Sequence, residues 1–150
     1  MTKNLITIRA EETLAQAWRL MREKGIRHLP VLDERSTVVG ILSDRDVQRA
    51  IRVQQVNGFQ QERHLDDTLR VEDFMSWPVY VVHEDTSLRR VAEEMLSQKV
   101  SAFLVENSTG HLKGIITTDD LLKILLTESP KISDSALKGL AKYFSLPEVV

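Results

Sequence analysis

Apolar and polar positions along this chain trace one pattern twice. Residues 6–8 and 79–82 are short β-branched runs that predict strands. Behind Thr13, the apolar residues Leu14, Ala17, Trp18 and Met21 fall at helical spacing; behind Ser87, Leu88, Val91, Ala92 and Met95 do the same. Thr13 and Ser87 stand where N-caps belong, and Gly25 where a helix would close. Strands are predicted over 29–32 and 37–42, joined by the polar turn 33–36, and again over 102–105 and 112–116 around the turn 107–110. A second helix starts after Ser43 and after Thr117. Each copy therefore reads β-α-β-β-α.

The two copies align without a gap when the chain is shifted by 74 positions. Leu14 then meets Leu88, Met21 meets Met95, Val31 meets Val105, Gly40-Ile41 meets Gly114-Ile115, and Asp46 meets Asp120. Similar residues fill the intervals, such as Thr13 with Ser87, Ile26 with Val100 and Ser43 with Thr117. Half-units of this size cannot each bury a full core, so they are expected to pack on each other with pseudo-two-fold symmetry. The fold class expected is a mixed α/β (α+β) sandwich of two similar halves. Expected boundaries are 1–58 for the first unit, 59–70 for a polar connector, 71–128 for the second unit and 129–150 for a C-terminal tail. Within that tail, residues 133–145 place Leu137, Leu140, Ala141 and Phe144 on one helical face, which would fold back on the module or meet another subunit.

Composition narrows the functional classes. The chain has 150 residues, 42% hydrophobic and 28% charged, with a formal net charge of −2, and a pI near 6.1. That balance argues against a nucleic-acid partner, which calls for a basic face. With no cysteine, disulfides and thiolate chemistry are excluded. No uncharged apolar run approaches the roughly 18 residues of a membrane span, and no signal-peptide core follows Met1, so a cytoplasmic location is expected. His28, His64, His83 and His111 lack metal-ligand spacing with one another. No phosphate loop, nucleophile elbow or Ser/His/Asp constellation is visible, and the chain reads as a non-enzyme.

Two stretches carry a family likeness: Gly25-Ile26-Arg27-His28-Leu29-Pro30-Val31 and Gly40-Ile41-Leu42-Ser43-Asp44-Arg45-Asp46. Their counterparts are Lys99-Val100-Ser101-Ala102-Phe103-Leu104-Val105 and Gly114-Ile115-Ile116-Thr117-Thr118-Asp119-Asp120. Two copies in order and in register resemble the tandem CBS-domain pair (Bateman module), over residues 1–127. The second copy departs from the pattern in having Leu104 for Pro30 and no basic pair like Arg27-His28.

The resemblance implies a regulatory module that senses adenosine-containing ligands, AMP, ADP, ATP or S-adenosylmethionine, and needs no obligatory cofactor. Asp46 and Asp120 would hold a ribose by its two hydroxyls, since a carboxylate accepts two charge-assisted hydrogen bonds. Ser43 and Thr117 would stand at a helix start that favours phosphate, with Arg45, Arg27 and His28 adding positive charge at the Asp46 site. The base would contact backbone near Leu29, with Ser76 and Val79 facing Asp46, and Thr2 and Leu5 facing Asp120. The Asp120 site, with Asp119 beside it, would suit a less phosphorylated derivative. A homodimer is expected, with an effector protein or an attached domain as further partners. The alternative is a dimerisation module whose nucleotide sites are vestigial, in which Ser/Thr-x-x-Asp is simply a helix capping box.

Overall fold

The computed structural model describes residues 5–55 and 65–128. The first unit is β1 (Ile8–Arg9), α1 (Leu14–Lys24), β2 (His28–Leu32), β3 (Val38–Ser43) and α2 (Asp44–Gln55). The second is β4 (Val81–His83), α3 (Leu88–Gln98), β5 (Ala102–Glu106), β6 (Leu112–Thr117) and α4 (Thr118–Glu128). Each unit forms its own three-stranded sheet, β1-β2-β3 and β4-β5-β6, the first pair parallel and the second antiparallel. The register repeats residue for residue. Ile8 faces Val31 as Val82 faces Val105, and Leu29 faces Leu42 as Phe103 faces Ile116. Even the irregularity in the antiparallel pairing recurs, at Val31/Leu32 and at Val105/Glu106.

Local chemistry explains the helix ends. Thr13 forms a full capping box: its hydroxyl accepts from the Gln16 N–H at 3.2 Å and the Gln16 side chain accepts from the Thr13 N–H at 2.8 Å. Ser87 keeps only the forward bond, from the Arg90 N–H at 3.4 Å, because arginine cannot accept the return bond. α1 ends on Gly25 in the left-handed region (φ 63°), where the missing Cβ removes the steric cost. α3 ends on Lys99 in the same conformation (φ 56°).

The opening strands are shorter than the 6–8 and 79–82 runs suggest. Val79, and Leu5 just ahead of the first run, pack with Val38, Ile41 and Leu112 around buried Ala102, Leu104 and Ile115, a cluster that joins the two units. The stretch ahead of β4 crosses between units. Ser76 bridges backbone to backbone with Ile41 of the first, and the Tyr80 carbonyl accepts from Leu104 N–H of the second.

Each unit also has a core of its own. In the first, Leu14, Ala17, Met21, Leu29, Val31, Leu42 and Val47 are buried, with Trp18 packed against them as its helical stripe predicts. In the second, Val82, Val91, Met95, Phe103, Val105 and Ile116 play that part. The connector closes over the first unit: Leu14 N–H donates to the Leu69 carbonyl at 2.9 Å and Val71 N–H to the Glu12 carbonyl at 2.9 Å, with Val71 fully buried. Gly40 lies under Met75 so closely that a Cβ there would stand 2.9 Å from Met75 Cγ and 3.2 Å from its Cβ. The 133–145 segment and residues 59–64 of the connector lie outside the described residues.

Candidate functional site

The Ser/Thr-x-x-Asp pattern folds identically in both copies. Ser43 donates to Asp46 Oδ2 from its N–H at 2.8 Å and its hydroxyl at 2.6 Å, and the Asp46 N–H donates back to Ser43 Oγ at 3.3 Å. Thr117 and Asp120 repeat this at 2.9, 2.9 and 3.4 Å. The capping-box reading is thus realised, and the N–H groups of Ser43 and Thr117 are occupied by carboxylates. Asp46 is the one buried charged residue among those described, 5% exposed. Its other oxygen, Oδ1, pairs with Arg49, one helical turn on, whose side chain is 72% exposed. Burial pushes the pKa of the half-buried Asp120 up, but the lowering influences, led by the Thr117 N–H and hydroxyl, hold it below the usual carboxylate range.

Each box borders a cleft whose far wall comes from the other unit. The Asp46 cleft, about 210 Å³, is lined by Ser43, Arg45 and Arg49 on one side and by Ser76, Val79, Tyr80 and Lys99 on the other. The Asp120 cleft, about 240 Å³, is lined by Thr117, Asp119 and Lys123 against Leu5, Ile26 and Arg27. The residues correspond under the repeat: Val79 with Leu5, Lys99 with Gly25, Arg49 with Lys123 and Arg45 with Asp119. The clefts are therefore one site built twice with different side chains. Their volumes sit just below the roughly 300–1,000 Å³ of pockets for drug-sized ligands, the scale of a compact ligand.

Most expected residues converge as the repeat implies. Ser43, Arg45, Asp46, Ser76 and Val79 share one cleft, and Thr117, Asp120 and Leu5 the other. One expectation is corrected. Arg27 does not serve the Asp46 cleft. Its guanidinium crosses to the second unit and pairs with Asp119 at 2.5 Å, lining the Asp120 cleft, because the wall of each cleft opposite its box belongs to the partner unit. At Leu29 the expected contact is with the backbone; its side chain is turned by the alternation of β2 into the core, fully buried, while His28 and Pro30 line the clefts. Thr2 lies outside the described residues.

His28 lines both clefts and its Nε2 meets Ser101 Oγ at 2.8 Å, a hydrogen bond between units. Burial lowers its pKa below the ordinary 6.5, against the opposing pull of Asp44, so the imidazole is neutral at physiological pH. Sequence reasoning missed Arg49, Lys123, Lys99 and Tyr80. Arg49 and Lys123 carried a legible signal, a cation three residues beyond each cleft aspartate. Among the described residues no group of His, Asp or Glu could hold a metal ion, and no helix is long and apolar enough to cross a membrane.

Comparison with known proteins agrees with this architecture. The CBS-domain family model matches residues 1–53 and 71–127. The chain is 31% identical over 121 residues to inosine-5′-monophosphate dehydrogenase of Methanocaldococcus jannaschii, covering 81% of this chain and 22% of that enzyme. It is 30% identical over 125 residues to a 17.7 kDa protein of Acidianus ambivalens, covering 83% and 70%. It spans only about a quarter or less of the first curated relatives it matches. Among solved structures, a signal-transduction protein with CBS domains from Burkholderia ambifaria superposes with TM-score 0.73 at 26% identity, covering 87% of this chain and 90% of that one. CBSX2 in complex with AMP gives 0.63 at 27%, covering 84% and 90%. The cytosolic domain of the Mg²⁺ channel MgtE in complex with ATP gives 0.61 at 28%, covering 83% and 46%. Two matched segments, two units of the same strand register and one doubled site together place this chain in the CBS-domain family as a tandem CBS pair.

Proposed function

We propose that the chain is a regulatory module that binds adenosine-containing ligands in its two inter-unit clefts. The observation that carries this is the duplicated arrangement itself: a cleft-facing carboxylate, fixed by its own Ser or Thr, opposite a strand lead-in from the other unit. A ribose would bring its vicinal hydroxyls to Asp46 or Asp120. Asp46 already accepts from Ser43 twice and from Arg49, and a carboxylate has about four acceptor sites. The ribose therefore shares Oδ2 and displaces Arg49 from Oδ1. Arg49 is 72% exposed, so its guanidinium returns to water while the ribose hydroxyls take over its hydrogen bond to the buried carboxylate, and it is then free for a ligand phosphate. The complexes of CBSX2 with AMP and of MgtE with ATP support AMP, ADP or ATP as the ligand class, with S-adenosylmethionine as a further member.

The protein works in this reading without turnover, as a cytoplasmic module. Because the chain spans 22% of the dehydrogenase, that enzyme's activity is not carried over to it. Its output is a ligand-dependent shift in how the units, or two copies of the chain, sit together, limited in size by the ligand's differential affinity for the two states. The exposed leucines 96, 122 and 126 on α3 and α4 favour a homodimer, and with it a second reading in which association, not ligand binding, is the chief role. Thermal unfolding with AMP, ADP, ATP and S-adenosylmethionine separates the two. At about 100 times the dissociation constant a bound ligand adds about 2.7 kcal/mol, and Asp46→Ala should remove the share due to its cleft. A dimer unresponsive to every ligand would leave only the association reading.

A further inference from the structure

We propose that Trp77 is the residue by which the Asp46 cleft selects a base: its indole closes over the planar purine of a bound nucleotide, with Tyr80 as a fixed aromatic wall of the same cleft. This rests on the adenosine reading of the clefts and names the side chains that make the choice.

The strap that carries Trp77 is pinned at both ends. Ser76 exchanges two backbone hydrogen bonds with Ile41 of the first unit, at 2.9 and 3.1 Å, and the Tyr80 carbonyl accepts from the Leu104 N–H of the second at 3.0 Å. The Tyr80 ring is tilted 54° against Phe103 with centroids 5.8 Å apart, and Phe103 is itself buried in the second core. Tyr80 is thereby held in place. Between the two anchors Trp77, Pro78 and Val79 line the Asp46 cleft together with Tyr80.

Trp77 follows directly on the Ser76 anchor, yet its side chain is left 75% exposed. An indole is ordinarily well buried, and covering one gains more than covering most side chains. Standing in water at the edge of a cleft, this one forgoes that gain until a flat apolar group enters beside it. Of the exposed large hydrophobic residues described, only Trp77 and Tyr80 line a cleft with a Ser/Thr-x-x-Asp box; Leu96 and Leu126 lie on the helices α3 and α4. The Asp120 cleft is built otherwise. Ile6 stands there at the position of Tyr80, and among the described residues no aromatic side chain lines it. Base selection by stacking therefore belongs to the Asp46 cleft. A two-ring purine overlaps an indole over more area than a single-ring pyrimidine does, so AMP is preferred to CMP.

Fluorescence and calorimetry on the full chain test this. The chain has two tryptophans, and subtracting the spectrum of Trp77→Phe isolates the exposed one. Saturating AMP should move the Trp77 emission to shorter wavelength as water leaves the ring, and Asp46→Ala should abolish that response. By calorimetry, Trp77→Ala should weaken AMP about fivefold or more at the site that Asp46→Ala removes. Trp77→Phe should recover most of the affinity, because a ring remains to stack. CMP should bind that site more weakly than AMP, and Trp77→Ala should narrow the gap. One result would overturn the role of Trp77 and leave the adenosine reading standing: AMP binding that Asp46→Ala removes, but that neither moves the Trp77 emission nor weakens in Trp77→Ala. The exposed indole would then be a contact for another protein. Binding of none of AMP, ADP, ATP or S-adenosylmethionine by the unmodified chain overturns both.

Discussion

The two copies share a backbone register and differ in what lies over them. In the first, Leu14 is wholly buried beneath the connector, whose Leu69 carbonyl takes its N–H. In the second, Leu88 at the same helical position is 44% exposed, and among the described residues nothing covers α3 in the way that Leu65, Leu69 and Val71 cover α1. Duplication thus preserved the pattern that makes each unit fold, while the connector made one unit the better-packed half. The difference teaches that the same leucine in the same helix can be structural in one copy and a surface for association in the other.

Paired substitutions break that comparison directly, and the largest effect belongs to the covered leucine. Leu14→Ala should cost about 2–5 kcal/mol, as removal of a fully buried leucine does. Leu88→Ala should cost well under half as much, because much of that side chain is already in water. Urea unfolding of both variants reads the contrast, and equal losses would mean that the connector does not shield the first unit. Next is Gly40→Ala, whose added methyl runs into Met75. Overpacking of this sort costs about 1–3 kcal/mol. Pairing it with Met75→Ala should recover part of the loss, since contacting residues are not additive. Smaller again is the helix-end pair: Lys99→Gly should stabilise the chain by up to about 1 kcal/mol, and Gly25→Ala should destabilise it by about as much. If Lys99→Gly also weakens ATP binding, the strained lysine serves the cleft at the expense of stability.

What the sequence disclosed follows from what is local. Helix caps and the Ser/Thr-x-x-Asp boxes are set by residues within a few positions of each other, and both formed where the spacing put them. The pairing of Val79 with Asp46 was also legible, because the repeat implied that each cleft borrows the other unit's lead-in. Arg27 was misassigned for the converse reason. It precedes β2 in the same copy as Asp46, yet β2 presents its N-terminal end to the partner's box, a relation visible only once the units are packed.

The last contrast is at position 28, where the second copy has Ala102, and its effect is a slope with pH instead of a fixed loss. Burial is the chief influence on His28 and lowers its pKa; Asp44 opposes it, Arg27 reinforces it, and Asp119 and Asp46 oppose it further, leaving the value below 6.5. In the unfolded chain the imidazole takes up its proton near 6.5, whereas the folded chain resists until the pH is lower. Between those two values the unfolded state binds more protons, so stability rises with pH there. The contribution is complete above 6.5 and is lost as the pH falls through that window. His28→Ala should flatten this stretch while leaving the loss at lower pH, where Asp120, whose carboxyl pKa is held below 3.8, gives up its own contribution as it is protonated. Urea midpoints between about pH 7.5 and 5.5 isolate the histidine window from the carboxylate one. An identical slope in both proteins would mean that His28, although it bridges the units through Ser101 and borders both clefts, does not feel protonation differently once folded.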